Sequence, residues 1–190
     1  MSELLAYVGL GFHHIADPAA WDHLLFLFAL AAIYRGRDWR SAAWVVTAFT
    51  AGHSATLALA VTGAVVLPTA LIEFLIPLTI VATGVENLLM RDRGAGTIRG
   101  RSRPVFAGVF GLVHGAGFAN YLRSLFTGSI AVPLLGFNLG IELGQLAILA
   151  GAAVVLAGMD QLVGHRRRVV AVSAVVVLLA LPMAVSRLPW

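Results

Sequence analysis

Long apolar runs separated by short polar breaks organise this chain. Leucine, valine, alanine and isoleucine dominate six stretches, each close to the roughly 20 residues that a helix needs to cross a bilayer. They cover about residues 18–34, 41–62, 69–90, 104–125, 130–158 and 169–185. Residues 3–16 are apolar but too short to cross alone, and Asp17-Pro18 closes them, which predicts a short helix or re-entrant segment. Pro77 predicts a kink in the third span. The expected fold is all-α and integral to the membrane. It forms one domain, a compact bundle of about six transmembrane helices plus the N-terminal half-helix.

Composition agrees with the pattern. Hydrophobic residues make up 59% of the 190 and charged residues 12%, where a soluble domain carries about 25% charged; the mean hydropathy is +0.91. All thirteen basic residues are arginine, and eleven of them follow the first, third and fifth spans. The positive-inside rule puts those loops in the cytoplasm and both termini outside. It also accounts for the net charge of +4 without nucleic acid, leaving the lipid bilayer as the expected surroundings. Cysteine is absent, so a metal would be held by His, Asp, Glu, Asn or backbone oxygen. Met-Ser-Glu-Leu-Leu has no basic leader, and no removable signal peptide is expected.

The chemistry lies in polar residues placed among the hydrocarbon. His13, His14, Asp22 and His23 crowd the mouth of the first span, which the arginine count places on the outer side. His53 and His114 fall near mid-depth in the second and fourth spans, and Asn138, Glu142 and Gln145 share one face of the fifth. Ionisable groups at such depths are costly and mark sites or pathways. His14, Asp22, His23, His53, His114 and Glu142 form a chemically sensible ligand set for a divalent transition metal. Asn138, Ser54 and Thr50 are candidates to orient them, with His13 and Gln145 close by. Glu86-Asn87 lies near the inner end of the third span and reads as a way-station or proton acceptor, apart from the main site unless Pro77 breaks the helix.

Blander roles exist for each group alone: a histidine bonding across helices, Asp22 capping a helix, Glu142 protonated and structural. His165, in a basic loop, reads as solvated. Gly108, Gly111 and Gly115, and Gly136, Gly140 and Gly144, form small-residue stripes that let helices approach within the bundle or between copies as a homo-oligomer.

The ordered motifs resemble one family. His-Ile-x6-Asp-His-Leu-Leu-Phe-Leu from His14, Phe-Thr-Ala-Gly-His-Ser-Ala-Thr-Leu at 49–57, and Glu86-Asn87-Leu88 are similar to HupE/UreJ proteins. So are Phe-Gly-Leu-Val-His-Gly-Ala-Gly-Phe-Ala at 110–119 and Phe-Asn-Leu-Gly-Ile-Glu-Leu-Gly-Gln-Leu at 137–146. The resemblance implies a bacterial inner-membrane protein, a secondary permease for nickel or a related metal ion, with His14, Asp22, His23, His53, His114 and Glu142 as its polar signature. The Asp-His pair after an upstream histidine is also loosely similar to the H-x-x-x-x-D-H motif of nickel/cobalt permeases, with a seven-residue gap here. The ligands suit nickel, cobalt, zinc, copper or iron. The alternative is an intramembrane zinc hydrolase acting on a lipid or amide, with Ser54 as oxyanion donor or Glu142 as base.

Overall fold

The computed structural model describes residues 2–90, 98–119, 122 and 130–189. Its helices are α1 (Glu3–Ala16), α2 (Trp21–Ala31), α3 (Trp39–Val61), α4 (Thr69–Leu89), α5 (Ile98–Gly117), α6 (Ala131–Val163) and α7 (His165–Ser186), with a 3-10 turn at Gly36–Asp38. The described residues contain no strand. Residues 91–97, in the expected arginine loop, and 120–121 and 123–125, in the tail of the expected fourth span, lie outside the described residues. Among the described residues, four segments are long and apolar enough to cross a membrane: Gly36–Val61, α4, α6 and α7. The first expected span, 18–34, is reduced to the 11 helical residues of α2, which reach only about 16 Å. At its start α5 carries Arg99, Arg101 and Arg103, so its apolar part begins a turn or more inside the helix. α4 continues as one helix through Pro77, from Thr69 to Leu89, with the one backbone hydrogen bond that proline cannot donate missing there.

Two glycine-lined contacts bind the bundle. On α6, Gly136 lies against Leu4, Gly140 against Val8, and Gly144 against Phe12 of α1. The partners advance together, so α1 and α6 are parallel. On α5, Gly108 meets Ala48, Gly111 meets Phe49, and Gly115 meets His53 of α3, again in parallel. Both stripes are used inside the chain. A Cβ at Gly140 would collide with the Val8 carbonyl oxygen, a backbone atom that cannot step aside. Gly140→Val should therefore destabilise by about 1–3 kcal/mol, read as a lower unfolding temperature in detergent; an unchanged temperature would show the α1–α6 contact to be looser than this.

The remaining pairs fix direction. Thr79 with His114, and Glu86 with Arg103, run α4 against α5. Tyr34 with Arg168, and Asp22 with Arg187, run α2 against α7. Gly164, at φ 78, turns α6 into α7, an angle that glycine adopts without strain. Consequently α1, α2, α4 and α6 point one way and α3, α5 and α7 the other. Two consecutive helices, α1 and α2, thus run in the same direction. Along α6, α1 occupies the Gly136–Gly144 stretch, while Ala31 and Phe28 of α2 pack lower down with Leu149, Ala152 and Leu156. They are two halves of one broken rod, interrupted at Asp17–Ala20. Pro18 has no N–H to continue the helix, and the Asp17 carboxylate accepts the Ala19 N–H at 2.8 Å.

Candidate metal centre

The break brings four histidines together. His14 ends α1, Asp22 and His23 begin α2, and His53 and His114 come from the parallel pair α3 and α5. Ring centroids are 6.5 Å apart for His53–His14, 4.7 Å for His14–His23 and 5.9 Å for His23–His114. This is a row, not a closed shell. Among the described residues, no three His, Asp or Glu side chains have the spacing that holds a metal ion.

The depth of the row follows from α4. His114 Nε2 lies 3.0 Å from Thr79 Oγ1, and Thr79 is ten residues from either end of that helix, about 15 Å each way. Asp22 and His23 therefore do not stand at an outer mouth above the other ligands; they share their level, because the first rod breaks in its middle. A short apolar stretch, a proline and then another apolar stretch carry no sign of which way the second half runs, which is why the sequence places them higher.

Hydrogen-bond accounting identifies the free atoms. The Thr79 hydroxyl donates its one hydrogen to the Ile76 carbonyl at 2.7 Å, so its oxygen accepts from His114 Nε2–H. The other ring nitrogen, Nδ1, is then a bare lone pair, and it is buried without a partner. His14 Nε2 and both nitrogens of the fully buried His53 are likewise unpartnered. Buried polar atoms without partners cost free energy and are rare in folded proteins. These four are imidazole nitrogens, a donor type that borderline divalent metals accept, although no three of the described side chains have the spacing of a closed ligand set. Asp22 supplies the negative charge: its Oδ1 lies 3.0 Å from His23 Nδ1 and its Oδ2 3.7 Å from Arg187 Nη1. Phe26 and Phe49 flank His114 at 5.1 Å each, and Phe118 covers His14 at 4.0 Å, giving the row an apolar wall.

Other expected residues lie elsewhere. Glu142 takes the Thr47 hydroxyl at 2.6 Å and Gln145 takes that of Thr50 at 2.7 Å, forming a polar seam between α3 and α6. Glu142 Oε2 and Asn138 Oδ1 are buried without partners. The Ser54 hydroxyl is turned to its own helix, donating to the Thr50 carbonyl at 2.7 Å. His13 is exposed beside Phe12, on the opposite side of α1's last turn from the buried Ile15. Glu86 and Asn87 sit seven and eight residues below Thr79 on α4. Both bond to Arg103, with Glu86 Oε2 at 3.2 Å, and Asn87 Nδ2 donates to the Ala29 carbonyl at 2.7 Å.

Three residues escape a sequence reading of the site: Thr79, Arg103 and Arg187. Thr79 and Thr83 were visible as hydroxyls inside an apolar span. Arg103 is hidden among the arginines that the positive-inside rule already explains, whereas Arg187 is one of the two outside that count. Arg103 is only 2% exposed, and Arg168 is fully buried against Asp160 at 2.8 Å. His165, expected to be solvated, contacts both members of that pair, Asp160 Oδ2 at 3.6 Å and Arg168 Nη2 at 2.7 Å.

A family model described as HupE / UreJ protein matches residues 1–187. No curated protein and no solved structure matches the chain.

Proposed function

The chain belongs to the HupE/UreJ family, and from that premise we propose that it is a multi-pass permease for a divalent transition-metal ion, with nickel the first choice. The observation that carries this reading is the row of buried, unpartnered imidazole nitrogens at the broken rod. His14, His23, His53 and His114 bind the ion in succession and Asp22 neutralises it. Glu142 Oε2 and Asn138 Oδ1 on α6 are buried without partners and are oxygens that the ion could meet beyond the row. A row passes an ion from pair to pair, whereas a hydrolytic zinc site gathers three donors on one point; the spacing favours transport over the hydrolase.

In this reading α1 and α2 make one discontinuous crossing, and with α3 to α7 there are six. Discontinuous helices in transporters place ion sites near the bilayer midplane. The ends bearing Arg35, Arg37, Arg40, Arg103 and Arg166–Arg168 face the cytoplasm of an inner membrane, with both termini outside. Below the row, Thr79, Thr83 and Glu86 follow one stripe of α4 at i, i+4 and i+7. That stripe is the exit path, and Arg103 sits across its end.

Nickel uptake into proteoliposomes tests the proposal. The wild-type protein should take up nickel, and Thr79→Val should weaken nickel affinity by roughly 10–100-fold, the usual cost of losing the partner that orients a ligand. Wild-type vesicles that accumulate none of nickel, cobalt or zinc would overturn the transport reading. Unchanged affinity in Thr79→Val would remove His114 Nδ1 from the site.

A further inference from the structure

We propose that the furrow between α3 and α6, at the arginine-bearing end of the bundle, binds one acyl chain of an anionic phospholipid whose phosphate rests at Arg35. The inference uses the membrane-spanning reading but not the metal row. Below the Thr50–Gln145 bond the facing positions are mostly alanine. A cavity of about 220 Å³ opens there, lined by Ala31, Ala42, Leu149, Ala150, Ala153 and Leu156. Arg35 and Trp39 line the same cavity at its mouth. Trp39 is 62% exposed and carries the Arg40 guanidinium 5.4 Å above its ring. Arg35, Arg37 and Arg40 cluster here with Asp38, which already accepts the Arg35 N–H at 3.1 Å and lies 3.9 Å from Arg37 Nε. Asp160 and Arg168 line the same cavity but are paired with each other at 2.8 Å, so among the described residues the surplus positive charge lies with Arg35, Arg37 and Arg40.

The occupant follows from this gradient. An apolar slot with surplus cations and an interfacial tryptophan at one end complements a molecule with a hydrocarbon chain and an anionic head. Basic pockets between transmembrane helices on the cytoplasmic side bind anionic headgroups in this way. Water has few polar partners along the slot, and a zwitterionic lipid would leave the arginine charge less well met.

The test is native mass spectrometry of the purified protein in mild detergent, titrated with phosphatidylglycerol or with phosphatidylcholine of identical chains. The wild-type protein should retain one phosphatidylglycerol and prefer it over phosphatidylcholine by roughly tenfold, given the attraction of each basic residue for anionic lipid. Arg35→Gln with Arg40→Gln should erase the preference, and Ala153→Phe should remove retention of both lipids. Nickel titration of the same variants should match the wild type, which separates this site from the metal row. Equal retention of the two lipids by the wild type would overturn the proposal even if a variant failed to fold. So would a preference that survives in the double arginine variant, or phosphatidylglycerol held by Ala153→Phe.

Discussion

Replacing His53 by leucine is expected to abolish nickel binding without loosening the fold. His53 is fully buried, and neither ring nitrogen has a hydrogen-bond partner. The empty protein therefore bears the desolvation cost of two polar atoms and recovers nothing for them. Leucine of similar size removes that cost. The unfolding temperature of metal-free protein should stay level or rise, while nickel affinity falls by about 100-fold or more, beyond the 10–100-fold typical of losing a supporting residue. Opposite signs in two measurements on one variant are difficult to produce by general damage. Calorimetric titration and thermal unfolding in the same detergent would read both. A variant that binds nickel normally would make His53 a spectator, and one that loses stability and binding together would make it a structural residue.

The second large effect is expected at Arg103. Its guanidinium holds Glu86 and Asn87 of α4, and Asn87 in turn holds the Ala29 carbonyl of α2. One buried cation thus ties three helices together below the histidine row and places a positive charge where an emerging cation would pass. Arg103→Met should open this end. Charge-assisted bonds contribute about 1.5–3 kcal/mol each, so the open population should rise by roughly tenfold or more. The chain has no cysteine, which makes Thr83→Cys a clean reporter. A membrane-impermeant maleimide added from the arginine-bearing side should label it slowly beside Arg103 and at least about tenfold faster beside methionine. Equal labelling rates would show that Arg103 braces the bundle without closing the path.

Much of the fold was legible because crossing a bilayer leaves few options. The apolar runs of α3, α4, α6 and α7 announced themselves by length, and the glycine stripes on α5 and α6 by their spacing. The site was legible only as a list. His14, Asp22, His23, His53 and His114 are conspicuous because imidazole and carboxylate are costly in hydrocarbon, but their common level depends on α2 continuing in the direction of α1. That direction is set by contacts with α6 and α7, more than a hundred residues along the chain. Glu142 shows the opposite limit. Its place on the polar face of α6 is readable from the spacing, yet its hydrogen-bond partner is Thr47, because which face of α6 meets α3 is a matter of packing. The buried arginines were obscured by a rule that explains most of their kind.

The parallel pairing of α1 with α6 carries a consequence for biogenesis. Synthesis reaches α1 well before α6, and with only 14 residues α1 is too short to cross the bilayer alone. The partner whose glycines receive it, α6, emerges about 130 residues later. Until then α1 lacks the glycine surface it packs on, and His14, which stands between His53 and His23, lacks that support. Seating of α1 against α6 thus waits for α6 to be made, and a chain lacking α6 is expected to leave the histidine row incomplete.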